Sequence, residues 1–177
     1  MLVLLLFFGA DGPGSRSVRA QEGQISEYKV KAAFLFNFTK FVDWPPESFT
    51  AADAPLVIGI FGQNPFGGDL DQIIQNKTVN NRPLKTKQLN SLAECANCNV
   101  LFLSATEKGR VKEVLEKLGD ASVLTVSETD GFTEAGGMIN FVREGNKFRF
   151  QINNEAAKRA KLKISSKMLA LALPSGR

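Results

Sequence analysis

Residues 27–46, EYKVKAAFLFNFTKFVDWPP, constrain the fold of this chain more than any other segment. Pro45 lacks a backbone N–H and disfavours helical geometry in the residue before it, so a helix here must end close to Trp44. The apolar side chains recur at steps of three and four, which places them on one helical face: Val30, Phe34, Phe38, Phe41 and Val42. Other side chains are expected elsewhere around the helix: Lys29, Lys31, Asn37 and Lys40. The pattern predicts an amphipathic helix whose aromatic face packs in the core.

Short apolar runs alternate with helical patterns along the middle of the chain. Strands are predicted at residues 56–61, 84–89, 100–104 and 122–126, and helices at about 69–75 and 106–118. This alternation predicts an α/β fold, with a mostly parallel sheet and flanking helices.

The C-terminal third carries a hairpin signal and two capping signals. Residues 138–142 and 148–152 flank the turn Glu144-Gly145-Asn146, so they are predicted to form an antiparallel hairpin at the sheet edge. Two short helices follow, each with a side chain that can cap its N-terminus: Asn153 or Asn154 for the first, Ser165 or Ser166 for the second.

The first residues have the pattern of a signal peptide. An apolar run at residues 2–8 precedes Val18-Arg19-Ala20, which fits the small-residue pattern before a cleavage site. The run is too short to cross a bilayer, which needs roughly 20 residues. We therefore expect a signal peptide at residues 1–20, a disordered lead-in at 21–26 and a single α/β domain at 27–174, with export to the periplasm. A buried N-terminal strand is the alternative for the apolar run.

The charge of the chain does not indicate a nucleic-acid partner. Cleavage after Ala20 would lower the Lys and Arg count from 22 to 20 and the acidic count from 18 to 17, which leaves about +3. The densest basic cluster surrounds a predicted helix and its exit: Lys158, Arg159, Lys161, Lys163 and Lys167. A solvated helix face explains this cluster, and contact with an anionic ligand or a lipid surface is the alternative.

The residues that enzymes most often use are missing or scattered. The chain has no His, which removes Ser-His and Cys-His nucleophile systems and His-based metal sites. Glu128 and Asp130 follow a predicted strand, where functional groups often lie, but a solvated turn also explains them. No catalytic residue, cofactor or metal site is predicted.

One edge of the sheet is the candidate ligand-binding site. The loop at residues 62–68 follows a strand and opens a helix, so its backbone N–H groups near Asn64, Gly67 and Gly68 could hold a small anion. It lacks the spacing of a phosphate-binding loop, and a tight connection is the competing interpretation. The loop at 127–132 follows another parallel strand and is predicted to lie at the same edge.

Two arginines flank the hairpin turn and are further candidates. Arg143 and Arg149 could bind a phosphate or an acidic partner. Charged residues on an edge strand also prevent edge-to-edge aggregation, which is the simpler explanation.

Cys95 and Cys98 are a candidate structural disulfide, and two inert thiols are the alternative. Export would expose them to oxidising conditions. A redox-catalytic Cys-x-x-Cys motif follows a strand and opens a helix, whereas Cys98 here precedes a predicted strand.

The string AAFLFNFTKFVDWP within residues 32–45 resembles the opening signature of the YfiR-like family of periplasmic proteins. Further segments follow in the order of that family: PLVIGIFGQNPFGGDL (55–70), NRPL (81–84), CNVLFLS (98–104), VLTVSETDGF (123–132), GGMINFV (136–142) and KFRFQINNEAAKRAKLKISSKMLALA (147–172). At Lys161 members of the family tend to carry Gly, which suits a left-handed helix C-cap.

The resemblance implies a periplasmic, non-enzymatic regulator in cyclic-di-GMP signalling and biofilm control. Its implied partner is the periplasmic domain of a membrane-bound diguanylate cyclase, which it would repress; a homodimer stays open, and direct membrane insertion is not expected. The alternative is a periplasmic protein that binds a small molecule, such as a nucleotide or an amino acid, in a pocket at the loop edge of the sheet.

Overall fold

A computed structural model of the protein describes residues 15–174, and side chains from residue 27 onward. Residues 1–14, which hold most of the expected signal peptide, lie outside the described residues. The first helix of the structure begins at Ser15 and includes residues 21–26. The division of residues 1–26 into a signal peptide and a lead-in stays a prediction.

Helices and strands alternate along the described part of the chain. The α-helices are α1 (Ser15–Phe41), α2 (Asp69–Ile74), α3 (Val111–Leu118), α4 (Asn154–Arg159) and α5 (Ser166–Leu171). The strands are β1 (Val42–Asp43), β2 (Leu56–Phe61), β3 (Thr78–Val79), β4 (Arg82–Leu89), β5 (Val100–Leu103), β6 (Leu124–Ser127), β7 (Ile139–Glu144), β8 (Lys147–Ile152) and β9 (Lys163–Ile164). Short 3-10 helices lie at Pro46–Ser48, Leu92–Glu94 and Ala105–Arg110.

Seven of these strands form a mostly parallel sheet in the order β3-β4-β2-β5-β6-β7-β8. The five central strands are parallel to one another, while β3 and β8 pair antiparallel at the two edges. A separate two-stranded antiparallel sheet joins β1 to β9. The predicted fold class and C-terminal hairpin are therefore confirmed. The strands β1, β3 and β9 were not predicted, because two residues are too few to show the alternation of apolar and polar side chains that marks a strand.

The two faces of the sheet pack against different helices. On one face, Ile58, Phe102 and Val126 belong to a core shared with α1, α2, α4 and α5. On the other face, Leu101 and Leu103 belong to a second core shared with α3. Because successive side chains of a strand point to opposite faces, the fully apolar strand β5 supplies both cores, while β6 supplies only the first.

The predicted helix α1 is confirmed, but the prediction of which residues it buries is only partly correct. Phe38 is 2% exposed, and its ring centre lies 5.1 Å from that of Phe150 and 5.7 Å from that of Phe141. Val30 and Phe41, predicted on the same buried face, are 40% and 37% exposed. The face that packs on the sheet is instead centred on smaller or branched side chains, which allow the helix to approach closely: Ala32, Leu35 and Thr39.

The predicted caps and chain breaks can be checked against the backbone. Asn153 and Ser165 accept hydrogen bonds from the backbone N–H groups of Ala156 (3.0 Å) and Met168 (3.3 Å), so both capping predictions are confirmed. Gly119 ends α3 as expected. The predicted helix at 106–118 is divided, because Glu107 lies outside helical geometry and a 3-10 turn precedes α3.

Lys161 has the left-handed conformation that its position suggests. Its φ is 58°, Leu162 N–H donates to the carbonyl of Ala157 (2.9 Å), and Lys161 N–H donates to that of Lys158 (3.0 Å). This pair of bonds is the Schellman motif, which usually has Gly at the left-handed position. The helix end thus keeps the geometry of a Gly cap with a Lys in its place.

Candidate functional site

The structure assembles a charged cluster at the carboxyl ends of the parallel strands, where the sequence analysis placed the candidate site. The loop after β6 carries Glu128, and the described start of α1 carries Glu27, Tyr28 and Lys31. Helix α1 crosses the sheet so that this end lies against the loop. These four residues form what we call the Lys31 cluster.

Lys31 is the centre of the cluster and is only 5% exposed. Its Nζ lies 2.5 Å from Glu27 Oε1 and 2.5 Å from Glu128 Oε2. The Glu128 side chain is 10% exposed and that of Glu27 26%. A buried ammonium group is tolerated only with such compensation, since removing its partners would leave an unpaired charge in a medium of low polarity.

Aromatic rings complete the surroundings of the ammonium group. Lys31 Nζ lies 4.8 Å from the ring centre of Tyr28 and 5.3 Å from that of Phe148, distances at which the ring faces attract a cation. The Tyr28 hydroxyl donates to Glu128 Oε1 at 3.1 Å. The cluster therefore connects α1 to the β6–β7 loop and to β8.

Tyr28 is held neutral in this position. Burial, followed by the nearby Glu128 carboxylate, raises the pKa of its phenol to about 12. A neutral phenol can donate to Glu128, whereas a phenolate would face a carboxylate at hydrogen-bond distance. The Lys31 ammonium group thus contacts both carboxylates of the cluster, and these contacts hold helix α1 in place.

Sequence reasoning missed this cluster for two reasons. Lys31 was expected away from the buried face, and Glu128 was expected in a solvated turn. The available signal was the position of Lys31 beside Leu35 and Phe38 on the helix, with Glu27 one turn earlier as its partner. Its contact with Glu128, 97 residues away, needs the tertiary fold.

The predicted loop residues are engaged within their own loop. Asn64 Oδ1 accepts from the backbone N–H of Phe66 at 2.9 Å, which closes a local turn. Gly67 has a φ of 54°, and Gly68 precedes the six-residue helix α2. Their role in binding a ligand stays a prediction.

The two candidate arginines contact groups of their own hairpin. Arg143 Nε donates to the carbonyl of Gly145 at 3.1 Å, and Arg149 lies 3.3 Å from Glu144. They are on β7 and β8, and strands β5 and β6 separate them from the loop that contains Asn64. The structure does not bring the two halves of the predicted site together.

The cavities described between residues 27 and 174 lie elsewhere. Their volumes are about 240, 260, 370 and 570 Å³. The smallest is mostly apolar, lies between α3 and α4, and has Asp120 and Arg159 among its lining residues. None of the four is lined by a predicted ligand-binding residue: Asn64, Gly67, Gly68, Arg143 or Arg149.

Cys95 and Cys98 are free, buried thiols in this structure. Cys98 Sγ donates to the carbonyl of Cys95 at 3.3 Å and packs against Gly59, where an added Cβ would come within 2.9 Å of the sulfur. Burial raises the pKa of the Cys98 thiol to about 12 and also raises that of Cys95. A redox-active thiol needs the opposite shift. Whether the two residues form a disulfide in the mature protein stays a prediction.

Residues 15–174, the part of the chain that the structure describes, lack two further features. In that part of the chain, no helix combines the length and the apolar character needed to cross a membrane. Over the same residues, His, Cys, Asp and Glu side chains do not gather in any group of three or more that could hold a metal ion.

Comparison with known proteins identifies a family by sequence and a solved structure with a similar fold. A family model described as YfiR/HmsC-like matches residues 28–173. No curated protein matches the chain. A crystal structure of a conserved domain protein from Vibrio cholerae is similar, with a TM-score of 0.52 and 11% identity. That alignment covers 68% of this chain and 55% of the other, so this chain spans about half the length of that relative and shares its fold alone.

Proposed function

The chain belongs to the YfiR/HmsC-like family, and from this premise we propose that it is a periplasmic regulator that represses a membrane-bound diguanylate cyclase by binding the periplasmic domain of that enzyme. The observation that carries the proposal is the family match, which spans residues 28–173. The family suggests a periplasmic regulator of diguanylate cyclase signalling, and repression is our more specific inference.

The Lys31 cluster favours a structural role over catalysis. In the Lys31 cluster, both carboxylates are engaged by the same ammonium group, and the phenol is neutral. A general acid or base needs a pKa near the operating pH and access to a substrate. The cluster instead stabilises one position of α1 on the sheet.

Repression across a membrane requires a conformational mechanism. A protein in the periplasm cannot touch a cytoplasmic catalytic domain, so it must bind one conformation of the periplasmic domain more tightly than the other. Moving such an equilibrium from 99:1 to 1:99 takes about 5.5 kcal/mol of preference. An interface of ordinary size, roughly 1,200–2,000 Å², can supply this.

Deletion of the gene in its native strain tests the proposal. We expect cyclic-di-GMP and surface attachment to rise, and a plasmid copy of the full chain to restore both. The matched control is a copy that lacks residues 1–20, which should be made but not exported and should restore neither. N-terminal sequencing of the envelope protein should begin near Gln21.

The deletion experiment also has a result that would reject repression. Unchanged cyclic-di-GMP in a strain that expresses the cyclase would reject repression, and full complementation by the unexported copy would reject action from the periplasm. The small-molecule alternative would then be examined first at the cavity between α3 and α4, whose mostly apolar lining and opposite charges at Asp120 and Arg159 suit a small amphipathic ligand.

A further inference from the structure

The outer face of α1 carries apolar side chains that are exposed to solvent. Within residues 27–174, the exposed large apolar side chains are Val30 (40%), Phe41 (37%) and Leu171 (63%). The first two lie on α1, and the third lies on α5, which contacts α1. Phe34, between Val30 and Phe41 in sequence, is partly buried: its ring centre lies 6.0 Å from that of Phe141 and 5.7 Å from that of Phe150, so it contacts the core and leaves only part of its surface on the outer face.

These residues follow the spacing of a helix–helix contact. Val30, Phe34, Asn37 and Phe41 are separated by four, three and four residues, and we call this set the outer seam. At 3.6 residues per turn they fall within about 60° of one another around the helix. The same alternation of steps places the contact residues of paired helices in one line.

Three of the four seam residues are apolar, and the fourth is an amide. Asn37 is exposed near its centre. In paired helices a single Asn among apolar contact residues fixes the register at a cost in stability. The seam therefore has the composition of a reversible and specific contact.

The charge beside the seam is positive. Lys29 and Lys40 are eleven residues apart, about three turns, so both lie on the same flank of the seam. Lys40 Nζ lies 4.1 Å from the ring centre of Phe36, and Lys77, which follows α2, lies 5.1 Å from the same ring. A partner with acidic residues beside its own apolar stripe would complement this surface.

We propose that the outer seam is the docking surface for an acidic amphipathic helix of the partner protein. This inference rests on the proposed function, in which that partner is the periplasmic part of a diguanylate cyclase. A second copy of this chain is disfavoured as the occupant. An antiparallel pairing of two seams would bring Lys29 and Lys40 of one copy towards those of the other, and a parallel pairing would place them towards the flank of Glu27, which Lys31 already engages.

Site-specific photo-crosslinking in the native strain tests the inference directly. A photo-reactive amino acid replaces Asn37 at the centre of the seam. The matched control replaces Lys112 on α3, which lies on the opposite face of the sheet and has an 87% exposed side chain. We expect an adduct at position 37 and none at position 112, with mass spectrometry mapping it to an acidic helical segment of the cyclase.

Charge reversal gives a second readout that does not disturb the core. The double variant Lys29→Glu/Lys40→Glu should bind the purified periplasmic domain about tenfold more weakly, and its adduct at position 37 should be lost. Reversing the mapped acidic residues of the partner should restore binding. Lys112→Glu/Lys117→Glu, which makes the same charge change on α3, should bind as the wild type does. Thermal unfolding verifies that each variant is folded.

The outcomes separate this inference from the proposed function. If the wild-type gene lowers cyclic-di-GMP and the Lys29→Glu/Lys40→Glu variant lowers it equally, the regulator stands and the seam is not its docking surface. An adduct to a second copy of the chain, to a non-helical or basic segment, or to nothing at position 37 also overturns the inference. If deletion leaves cyclic-di-GMP unchanged, the mapped segment and the charge-reversal rescue still decide whether the seam docks an acidic helix.

Discussion

At the scale of single residues, Lys161 has a backbone conformation that is unfavourable for a residue with a side chain. The left-handed backbone is imposed by two hydrogen bonds that close α4 and by the return of the chain into β9. A residue with a Cβ is strained there by roughly 1–2 kcal/mol. The remainder of the fold compensates for this cost.

Replacing Lys161 by Gly should therefore stabilise the protein. We expect a gain of about 0.5–1 kcal/mol, because relief of the strain exceeds the extra freedom that Gly gives the unfolded chain. Urea unfolding at neutral pH measures it. Lys163→Gly is the matched control and should destabilise, since β9 is extended and gains nothing from Gly. Equal losses in both variants would show that residue 161 is not left-handed in solution.

Cys98 gives a second prediction at this scale, for the reduced protein. Its pKa is about 12 when folded, against an ordinary value of 9.0. A raised pKa means that the folded state prefers the protonated thiol, so this stabilisation is complete below pH 9 and is lost as the pH rises towards 12. Unfolding free energies should fall more steeply above pH 9 in the wild type than in Cys98→Ser, which does not titrate there. Identical slopes would contradict the prediction.

At the scale of elements, α1 has two apolar faces. One packs in the core, and the other is largely exposed, although its Phe34 also contacts core rings. Helical periodicity predicted the element, and Pro45 predicted an end near Trp44, three residues after the observed end at Phe41. Neither could decide which apolar residues the sheet would cover. That choice depends on the rings of Phe141 and Phe150, which are more than 100 residues away in the chain. A single-sequence pattern contains no such information.

Two identical substitutions on α1 should separate its faces. Phe38→Ala removes a ring that is 2% exposed, so we expect a loss of about 3–5 kcal/mol from lost burial and the cavity left behind. Phe41→Ala, at 37% exposure, should cost less than about 1 kcal/mol. Denaturant unfolding of both variants measures the difference. Comparable losses would mean that Phe41 is also part of the core in solution.

At the scale of the whole molecule, the sequence predicted the class of the fold better than its site. The alternation of strands and helices predicted the parallel sheet and its hairpin, because period and turn chemistry are local properties. The loop after β2 was correctly expected to follow a strand, and Arg143 and Arg149 were correctly expected to flank the hairpin turn. Their separation by β5 and β6 follows from strand order, which local patterns do not determine.

The attachments of α1 have a consequence for the order in which the chain can fold. The helix lies near the N-terminus and contacts α2, yet its other partners lie late in the chain: Glu128, the rings on β7 and β8, and β9 through the strand that continues from α1. During synthesis or passage through a membrane pore, α1 therefore cannot complete the burial of its apolar face before the last fifty or so residues are available. Such long-range closure is slow. The chain should consequently stay open and unfolded until its end emerges, which is the state that a translocating polypeptide requires.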